Sequence, residues 1–371
     1  MSNTFMTIQE IARQALPRLT ENLVFPNLVH RDFSDDFHSL GDTIFVRRPT
    51  VFTAEDFDAE NGVSYQDFNE SGVEVTLDHI ATVDACASAI ESAASVDDLN
   101  RLFVEPAAAA LAEKINSDGL KLYKDIPYVT GTAGTTPSTL ADLADIRRSL
   151  NLRKAPTTDR KAVWDPEADA KFGQIPAVVN AEKSGSVQAL REGSIGRVFG
   201  IDHYMSQGVA QHVTGITAAT AVKVNGAVQS GATKLSVDGT ALTGKFVPGD
   251  LIRINGATYT VVQESAAASG NAIANVKVYP ALPAIADNTD VTLIGSHTAN
   301  LAFHPMAFAY VTRPLINPDG QGVASYVTSF NGLSLRVTKG YDQRFKRSIY
   351  SMDVLYGFKT IYPELAVRCL G

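Results

Sequence analysis

The segment from Thr214 to Thr298 differs in composition from everything around it, and this break constrains the fold more than any other feature of the chain. Ala, Gly, Thr, Val and Ser dominate it, and its aromatics reduce to Phe246, Tyr259 and Tyr279. Asn225-Gly226 in VNGAV and Asn255-Gly256 in RINGATYTVV stand where tight hairpin turns need positive φ, and FVPGDLIRI places a Pro-Gly turn before a strand. Further short apolar runs at NVKVYP and DVTLIG complete an all-β sandwich or barrel of about 85 residues. Its charges balance, five basic against five acidic, so it advertises no electrostatic ligand. Mixed α and β patterns flank it on both sides, which makes it an insertion into a larger unit rather than an appendage.

Before the insertion, TIQEIARQALP sets Thr7 and Glu10 in capping-box spacing and puts Ile8, Ile11, Ala12, Ala15 and Leu16 on one helical stripe, with Pro17 ending the run. That single apolar face needs a partner, in this subunit or in a neighbour. From Gly41 two extended runs follow, GDTIFVRRPTVF and SGVEVTLDHIATVDACA, the second alternating Val73, Val75 and Leu77 with Glu74, Thr76 and Asp78. They read as a long hairpin-like arm. Between Val51 and Asp78 there is no Lys or Arg but eight carboxylates: Glu55, Asp56, Asp58, Glu60, Asp67, Glu70, Glu74 and Asp78. Such a stretch is either a solvated loop or an arm that docks on a basic surface of another subunit.

The strongest helix pattern is SVDDLNRLFVEPAAAALAEKINSDGLKLYKDI, with Ser95 and Asp98 at capping-box spacing and Ala108, Leu111, Ala112, Ile115, Gly119 and Leu122 on one face. Pro106 either kinks this helix or begins a second one. A further helix at STLADLADIRRSLN has its stripe at Leu140, Leu143, Ile146 and Leu150, followed by the strand-like KAVWDP. After the insertion, NLAFHPMAFAYVTRPL, SYVTSFNGLSLRVTKGYD and SIYSMDVLYGFKTIYPELAVRCL are β-rich runs that a sheet must bury.

The 371 residues suffice for two or three domains, and 45% hydrophobic residues exclude a disordered chain. A net charge of −8, from 40 acidic and 32 basic residues, argues against a protein that coats nucleic acid or an anionic membrane. Cys86 and Cys369 lie too far apart in sequence for a C-x-x-C motif or a disulfide framework. No apolar run reaches membrane-span length, and no signal-peptide pattern opens the chain, so a protein made and used without export is expected.

Catalytic signatures are scarce. GSIGRVFG does not have dinucleotide-loop spacing, and no Walker, H-E-x-x-H or G-x-S-x-G motif occurs. His30, Asp32, Asp35, Asp36 and His38 are metal-ligand types without a converging spacing. Asp202-His203, with Ser194 or Ser206, offers triad residue types, but adjacency in sequence does not supply triad geometry. No catalytic, metal or cofactor site is assigned. Two basic runs, Arg147, Arg148, Arg153, Lys154, Arg160 and Lys161, and Arg336, Lys339, Arg344, Lys346 and Arg347, lack the interleaved aromatics of a base-stacking surface. Each is either a solvated face or a docking site for the acidic arm.

The order of elements resembles the tailed-bacteriophage major capsid protein fold, in the branch that carries an inserted β domain. VEPAAAALAEKI (104–115) resembles the spine helix, AVWDPEADAKF (162–172) the central-domain strand and turn, and REGSIGRVFGIDHYMSQ (191–207) the segment leading to the insertion. NLAFHPMAFAYVTRPL (300–315) and SMDVLYGFKTIYPELAVR (351–368) resemble the strands that close the fold. The resemblance implies an α+β chain with an N-terminal arm at 1–35, an extended two-stranded arm loop at 36–85 and a peripheral domain at 86–130 completed by about 341–362. It further implies a central axial domain from 131–213 and 299–340 with the last residues, holding an inserted β domain at 214–298.

What the resemblance implies of function is a non-enzymatic shell subunit, without cofactor, that self-assembles into hexamers and pentamers of an icosahedral virion head around packaged double-stranded DNA. A separate scaffolding protein, a portal and a decoration protein are the implied partners, since the chain opens almost at its first helix and leaves no room for a fused scaffolding segment. The first lysine is Lys114, so a covalent crosslink through an arm lysine is not expected. Glu55, Asp56, Asp58 and Glu60 are the expected arm contacts, and Arg147, Arg148, Arg344 and Lys346 their expected counterparts. A nanocompartment shell of the same fold, a hydrolase using Asp202-His203 and a β-rich tail or adhesion protein are the competing readings.

Overall fold

The computed structural model describes residues 8–31, 43–48, 54, 71–88, 103–180, 193, 195–317, 323–330, 333–345 and 347–371. Helix α1 spans Ile8–Asn22 and keeps Pro17 in its interior, where the sequence pattern suggested a stop. The reason lies on the buried stripe: Ile11, Ala12, Ala15, Leu16 and Leu19 are all sealed from solvent, and ending the helix at Leu16 would remove Leu19 from that face. Burial of this stripe offsets the roughly 3 kcal/mol that an interior proline costs, and Pro17 itself faces solvent. The stripe packs within its own subunit, against helix α3 (Glu105–Leu120) and strands Ala324–Phe330 and Leu333–Asp342.

A short helix α2, Phe25–Leu28, follows a tight bend that Asn116 of α3 holds. The Asn116 Oδ1 accepts from the Val24 and Phe25 amides, each at 3.1 Å, and its Nδ2 donates to the Asn22 carbonyl at 3.1 Å. Phe25 then fits among the rings of Phe303, Phe308 and Phe358. Pro106 lies in the first turn of α3, where a missing amide hydrogen breaks no helical bond, and α3 passes into a 3₁₀ turn at Lys121–Asp125. Ser95 and Asp98 lie outside the described residues.

The body is built on a seven-stranded mixed sheet. Its order is Val129–Gly131, Ala366–Leu370, His297–Phe303, Arg160–Trp164, Ile201–Met205 and Arg197–Val198, with Gln211–His212 pairing the other end of His297–Phe303. Both faces are covered, which explains why AVRCL and NLAF read as apolar runs without alternation. Val163, Leu301, Phe303 and Ala366 face α1, α2 and α3. Ala162, Trp164, Ala302, Val367 and Cys369 face helices α4 (Leu140–Leu152) and α5 (Pro166–Phe172) through Leu143, Ile146, Leu150 and Phe172. Helix α4 begins at a capping box in which Thr139 Oγ1 accepts from the Asp142 amide and the Asp142 carboxylate accepts from the Thr139 amide.

A second, five-stranded antiparallel sheet is organised by the 14-residue strand Arg347–Thr360. Leu333–Asp342 and Phe308–Arg313 take successive stretches of one of its edges, and His79–Ser88 takes the other. The run expected as one continuous arm strand is therefore two: Ser71–Thr76 in the arm and His79–Ser88 in this sheet, broken at buried Leu77. The Asp118 side chain ties α3 to the long strand. It accepts from Lys114 at 3.1 Å, Lys121 at 2.8 Å and the Tyr356 hydroxyl at 2.7 Å. Burial alone would raise the Asp118 pKa, but these three donors outweigh it and hold the carboxyl at about 2.

Between Gln211–His212 and His297 the chain leaves the body and forms a six-stranded antiparallel sheet. The order is Val291–Ile294, Leu251–Ile254, Ala257–Val261, Ala272–Leu282, Ala232–Gly244 and Ile216–Val224. Its two ends meet: the Val224 amide donates to the Thr289 carbonyl at 2.9 Å and the Asn288 amide to the Val224 carbonyl at 2.9 Å, so the sheet curls into a barrel. Val224, Val237, Phe246, Ile252, Ile254, Val261, Ile273 and Val276 fill the interior. Asn255 and Gly256 have φ of 49° and 80° and join two strands by a two-residue turn, as their sequence suggests. Asn225-Gly226 differs: it opens a longer connection, because Val228 is drawn into a bridge with Ile285 before the next strand begins.

Candidate assembly surfaces

The arm begins as a two-stranded ribbon. Thr43–Arg48 pairs antiparallel with Ser71–Thr76, in register from Thr43 opposite Thr76 to Arg48 opposite Ser71. Val46 and Val75, with Leu77, pack at its root against Ala309, Val311, Leu355 and Ile361. Gly357 makes that root possible, since a Cβ there would lie 2.1 Å from the Thr76 carbonyl oxygen. Phe45 remains half-exposed, its ring laid over Gly72. Glu55, Asp56, Asp58 and Glu60 lie outside the described residues, and so does Lys346. Glu74 and Asp78 are exposed, and Asp78 pairs with His79 at 2.5 Å.

The two basic runs do not form continuous faces. In the first, Arg153 stacks over the Tyr128 ring at 3.7 Å and donates to the Ser149 carbonyl at 2.6 Å. Arg160 is buried and donates to the carbonyls of Pro156 and Ala155 at 2.7 and 2.8 Å, and Lys161 donates to the Leu28 carbonyl at 3.3 Å. Arg147, Arg148 and Lys154 stay at the surface of α4 and the turn after it, with Arg148 paired to Asp145 at 3.1 Å. In the second run Arg336 pairs with Asp353 at 2.6 Å and Arg347 with Asp342 at 3.5 Å. Arg344 is exposed, its guanidinium 5.3 Å from the Phe345 ring centre. The exposed arginines thus sit on different sheets, Arg147 and Arg148 beside the seven-stranded sheet and Arg344 in a turn of the five-stranded one.

The triad residue types do not converge. Asp202 and His203 are neighbours on a strand and point to opposite faces. Asp202 pairs with Arg197 at 3.8 Å, whereas His203 is buried and its Nδ1 accepts from the Trp164 indole N–H at 2.9 Å. Burial holds the His203 pKa at about 4, against smaller opposing effects of Val198 and Asp202. Ser206 is buried and its Oγ accepts from the Gly208 amide at 3.2 Å, and Ser194 lies outside the described residues. Asp32, Asp35, Asp36 and His38 also lie outside them, and among the described residues no three His, Cys, Asp or Glu side chains group as metal ligands. No helix among the described residues is long and apolar enough to cross a membrane.

One polar cluster had no counterpart in the sequence reading. Where the barrel meets the body, His212 Nε2 lies 2.8 Å from Asp250 Oδ1, and the Tyr123 hydroxyl lies 3.0 Å from His212 Nδ1. Asp250 Oδ2 accepts from the Val247 amide at 2.8 Å, and buried Arg368 donates to the Gly249 carbonyl at 2.9 Å while stacking 4.4 Å from the Tyr123 ring centre. Burial lowers the Arg368 pKa to about 9 against the pull of Tyr123 and Asp250. The available sequence signal was position: His212 and His297 bracket the composition break, and Asp250 closes the Pro-Gly turn.

No protein-family model matches this chain, and no curated protein matches it. Solved structures do. A structure from Mycobacterium phage Che8 is 16% identical, with a TM-score of 0.52 over 94% of this chain and 90% of that one. The capsid structure of the cyanophage P-SCSP1u is 14% identical, with a TM-score of 0.50 over 94% of this chain and 88% of that one. The fold is that of a tailed-phage capsid subunit. The α+β architecture expected from the order of elements is the one found.

Proposed function

We propose that this chain is the major subunit of an icosahedral phage head, assembling as hexamers and pentamers into a shell that encloses double-stranded DNA. The observation that carries the reading is the coverage of the likeness: it takes in 94% of the chain rather than one common motif. The arm supports it as well. A two-stranded ribbon with a half-exposed Phe45 and an acidic continuation has too little core to stand alone, which suits a segment ordered by a neighbouring subunit.

In this reading 36–85 forms the arm loop, 86–130 with about 341–362 the peripheral domain, and 131–213 with 299–340 the central axial domain that carries 214–298. Strand His79–Ser88, although in the arm interval, anchors the arm in the sheet of the long strand. Glu55, Asp56, Asp58 and Glu60 meet exposed arginines of a neighbour, Arg147, Arg148 or Arg344, with Lys346 beside the last. Many moderate contacts of this kind allow a shell to correct errors during growth, where one very tight contact would trap them. A separate scaffolding protein, a portal and a decoration protein complete the assembly, and the acidic coat retains DNA by enclosure rather than by charge.

Negative-stain electron microscopy of the purified full chain, alone and co-expressed with its neighbouring genes, tests this. Closed shells or capsomer rings are expected. A uniform small monomer under both conditions would contradict the assembly role, and shells filled with a protein cargo and no DNA would contradict the head.

A further inference from the structure

The barrel is joined to the body by two chain crossings that pair with each other. Gln211–His212 leads in, His297 leads out, and the two run antiparallel with His297 directly opposite His212. This places two imidazoles side by side at the neck, ring centres 5.3 Å apart and planes tilted by 42°, both almost fully buried. Every charged or titratable partner of the pair comes from a different element. Tyr123 comes from the 3₁₀ turn after α3, Asp250 from the barrel's Pro-Gly turn and Arg368 from the last body strand.

The hydrogen bonds define the protonation state that fits. The Asp250 carboxylate accepts, so His212 donates from Nε2, and its Nδ1 shares a hydrogen bond with the Tyr123 hydroxyl. His297 donates from Nδ1 to the Gly295 carbonyl at 2.7 Å, which leaves Nε2 as a buried lone pair without a hydrogen-bond partner. The unpartnered Nε2 makes His297 the neutral imidazole of the joint, beside the Arg368 guanidinium and the Asp250 carboxylate. A proton on His297 would add a second cation to a closed site whose only anion is already bonded to His212 and the Val247 amide. Burial foremost, and then the Arg368 charge, hold the His297 pKa at about 4.

We propose that this neck is a proton-operated latch: with His297 neutral it clamps the barrel to the body, and protonation of His297 releases the barrel as a unit that stays folded. The barrel can remain folded because it closes its own sheet ends and has its own apolar interior, and no histidine lies between His212 and His297 in sequence. The proposal does not depend on the assembly reading.

Hydrogen exchange measured by mass spectrometry on the full chain at pH 7.5 and pH 5, corrected for intrinsic exchange rates, tests it. A site held at about 4 when closed and titrating at 6.5 when open gives roughly a 30-fold loss of protection between those pH values. The loss should appear in peptides covering 121–126, 210–215, 247–250 and 297–299, while the barrel strands Leu251–Ile254 and Ala257–Val261 keep theirs. In His297→Gln the neck should lose its pH dependence, and in His203→Gln, remote from the joint, it should keep it. Unchanged neck protection in the wild type, equal loss in neck and barrel, or full pH dependence in His297→Gln would each overturn the latch. If His297→Gln does not fold, the wild-type series and His203→Gln still decide.

Discussion

The barrel and the arm ribbon are both all-β excursions from the same body, and they solve the problem of exposed strand edges in opposite ways. The barrel joins its end strands through Val224, Asn288 and Thr289 and fills its interior with its own residues. The ribbon has two described strands, and its buried apolar residues, Val46 and Val75, share one cluster with the body residues Ala309, Val311, Leu355 and Ile361. One excursion has an apolar interior of its own; the described part of the other is buried against the body. In the proposed assembly this difference separates a module that a subunit carries from a segment that a subunit offers to its neighbours.

The comparison can be broken at its strongest point first. Phe246 lies within the barrel interior, and Phe246→Ala should cost about 3–5 kcal/mol, read as an earlier barrel transition in urea with the body transition unmoved. A single concerted loss of barrel and body would show that the barrel does not stand apart. Acid should act the other way round. Neutral His203 accepts the Trp164 N–H, and a proton on Nδ1 would set two donors against each other. The folded pKa of about 4 lies below the ordinary 6.5, so the folded body binds fewer protons than the unfolded chain across that window. Stability is thus full above 6.5 and falls as pH drops toward 4, by about 3 kcal/mol for this group, and His203→Gln should flatten that slope in denaturant titrations.

At the arm, Gly357→Ala should cost about 1–3 kcal/mol, because the added methyl group meets the Thr76 carbonyl. The visible result would be faster proteolysis near Thr76 with the barrel untouched. Charge reversal of Glu55, Asp56 and Asp58 to Lys should have the smallest effect on the stability of the isolated chain, within about 0.5 kcal/mol. It should nonetheless raise the concentration needed for assembly and weaken its salt dependence, measured by light scattering. Unchanged assembly would remove these carboxylates from the contact.

Features set by local pattern were legible in the sequence. The composition break at Thr214 and Thr298 brackets strands that run from Ile216 to Ile294, and Asn255-Gly256 makes the turn its residues favour. The stripes of α1 and α3 and the capped helix at Leu140 were equally readable, because helical period and burial agree there. Features set by distant partners were not. Pro17 lies within a helix because Leu19 is needed in a core that the sequence does not display, and the second arm run breaks at Leu77 because a strand far along the chain pairs with its latter half. Arg153, Arg160 and Lys161 looked like part of a basic face, yet their donors go to backbone carbonyls inside the subunit. The neck cluster draws on positions 123, 212, 250, 297 and 368, each unremarkable in its own neighbourhood. Glu55, Asp56, Asp58 and Glu60 fall outside the described residues.

The most direct test of the account is hydrogen exchange compared between free subunits and assembled particles of the full chain. The ribbon of Thr43–Arg48 and Ser71–Thr76 should exchange quickly in the free subunit and gain protection on assembly, while barrel strands such as Leu251–Ile254 are equally protected in both. A ribbon already protected in the free subunit, or one whose exchange does not change on assembly, would contradict the claim that a neighbour completes the arm.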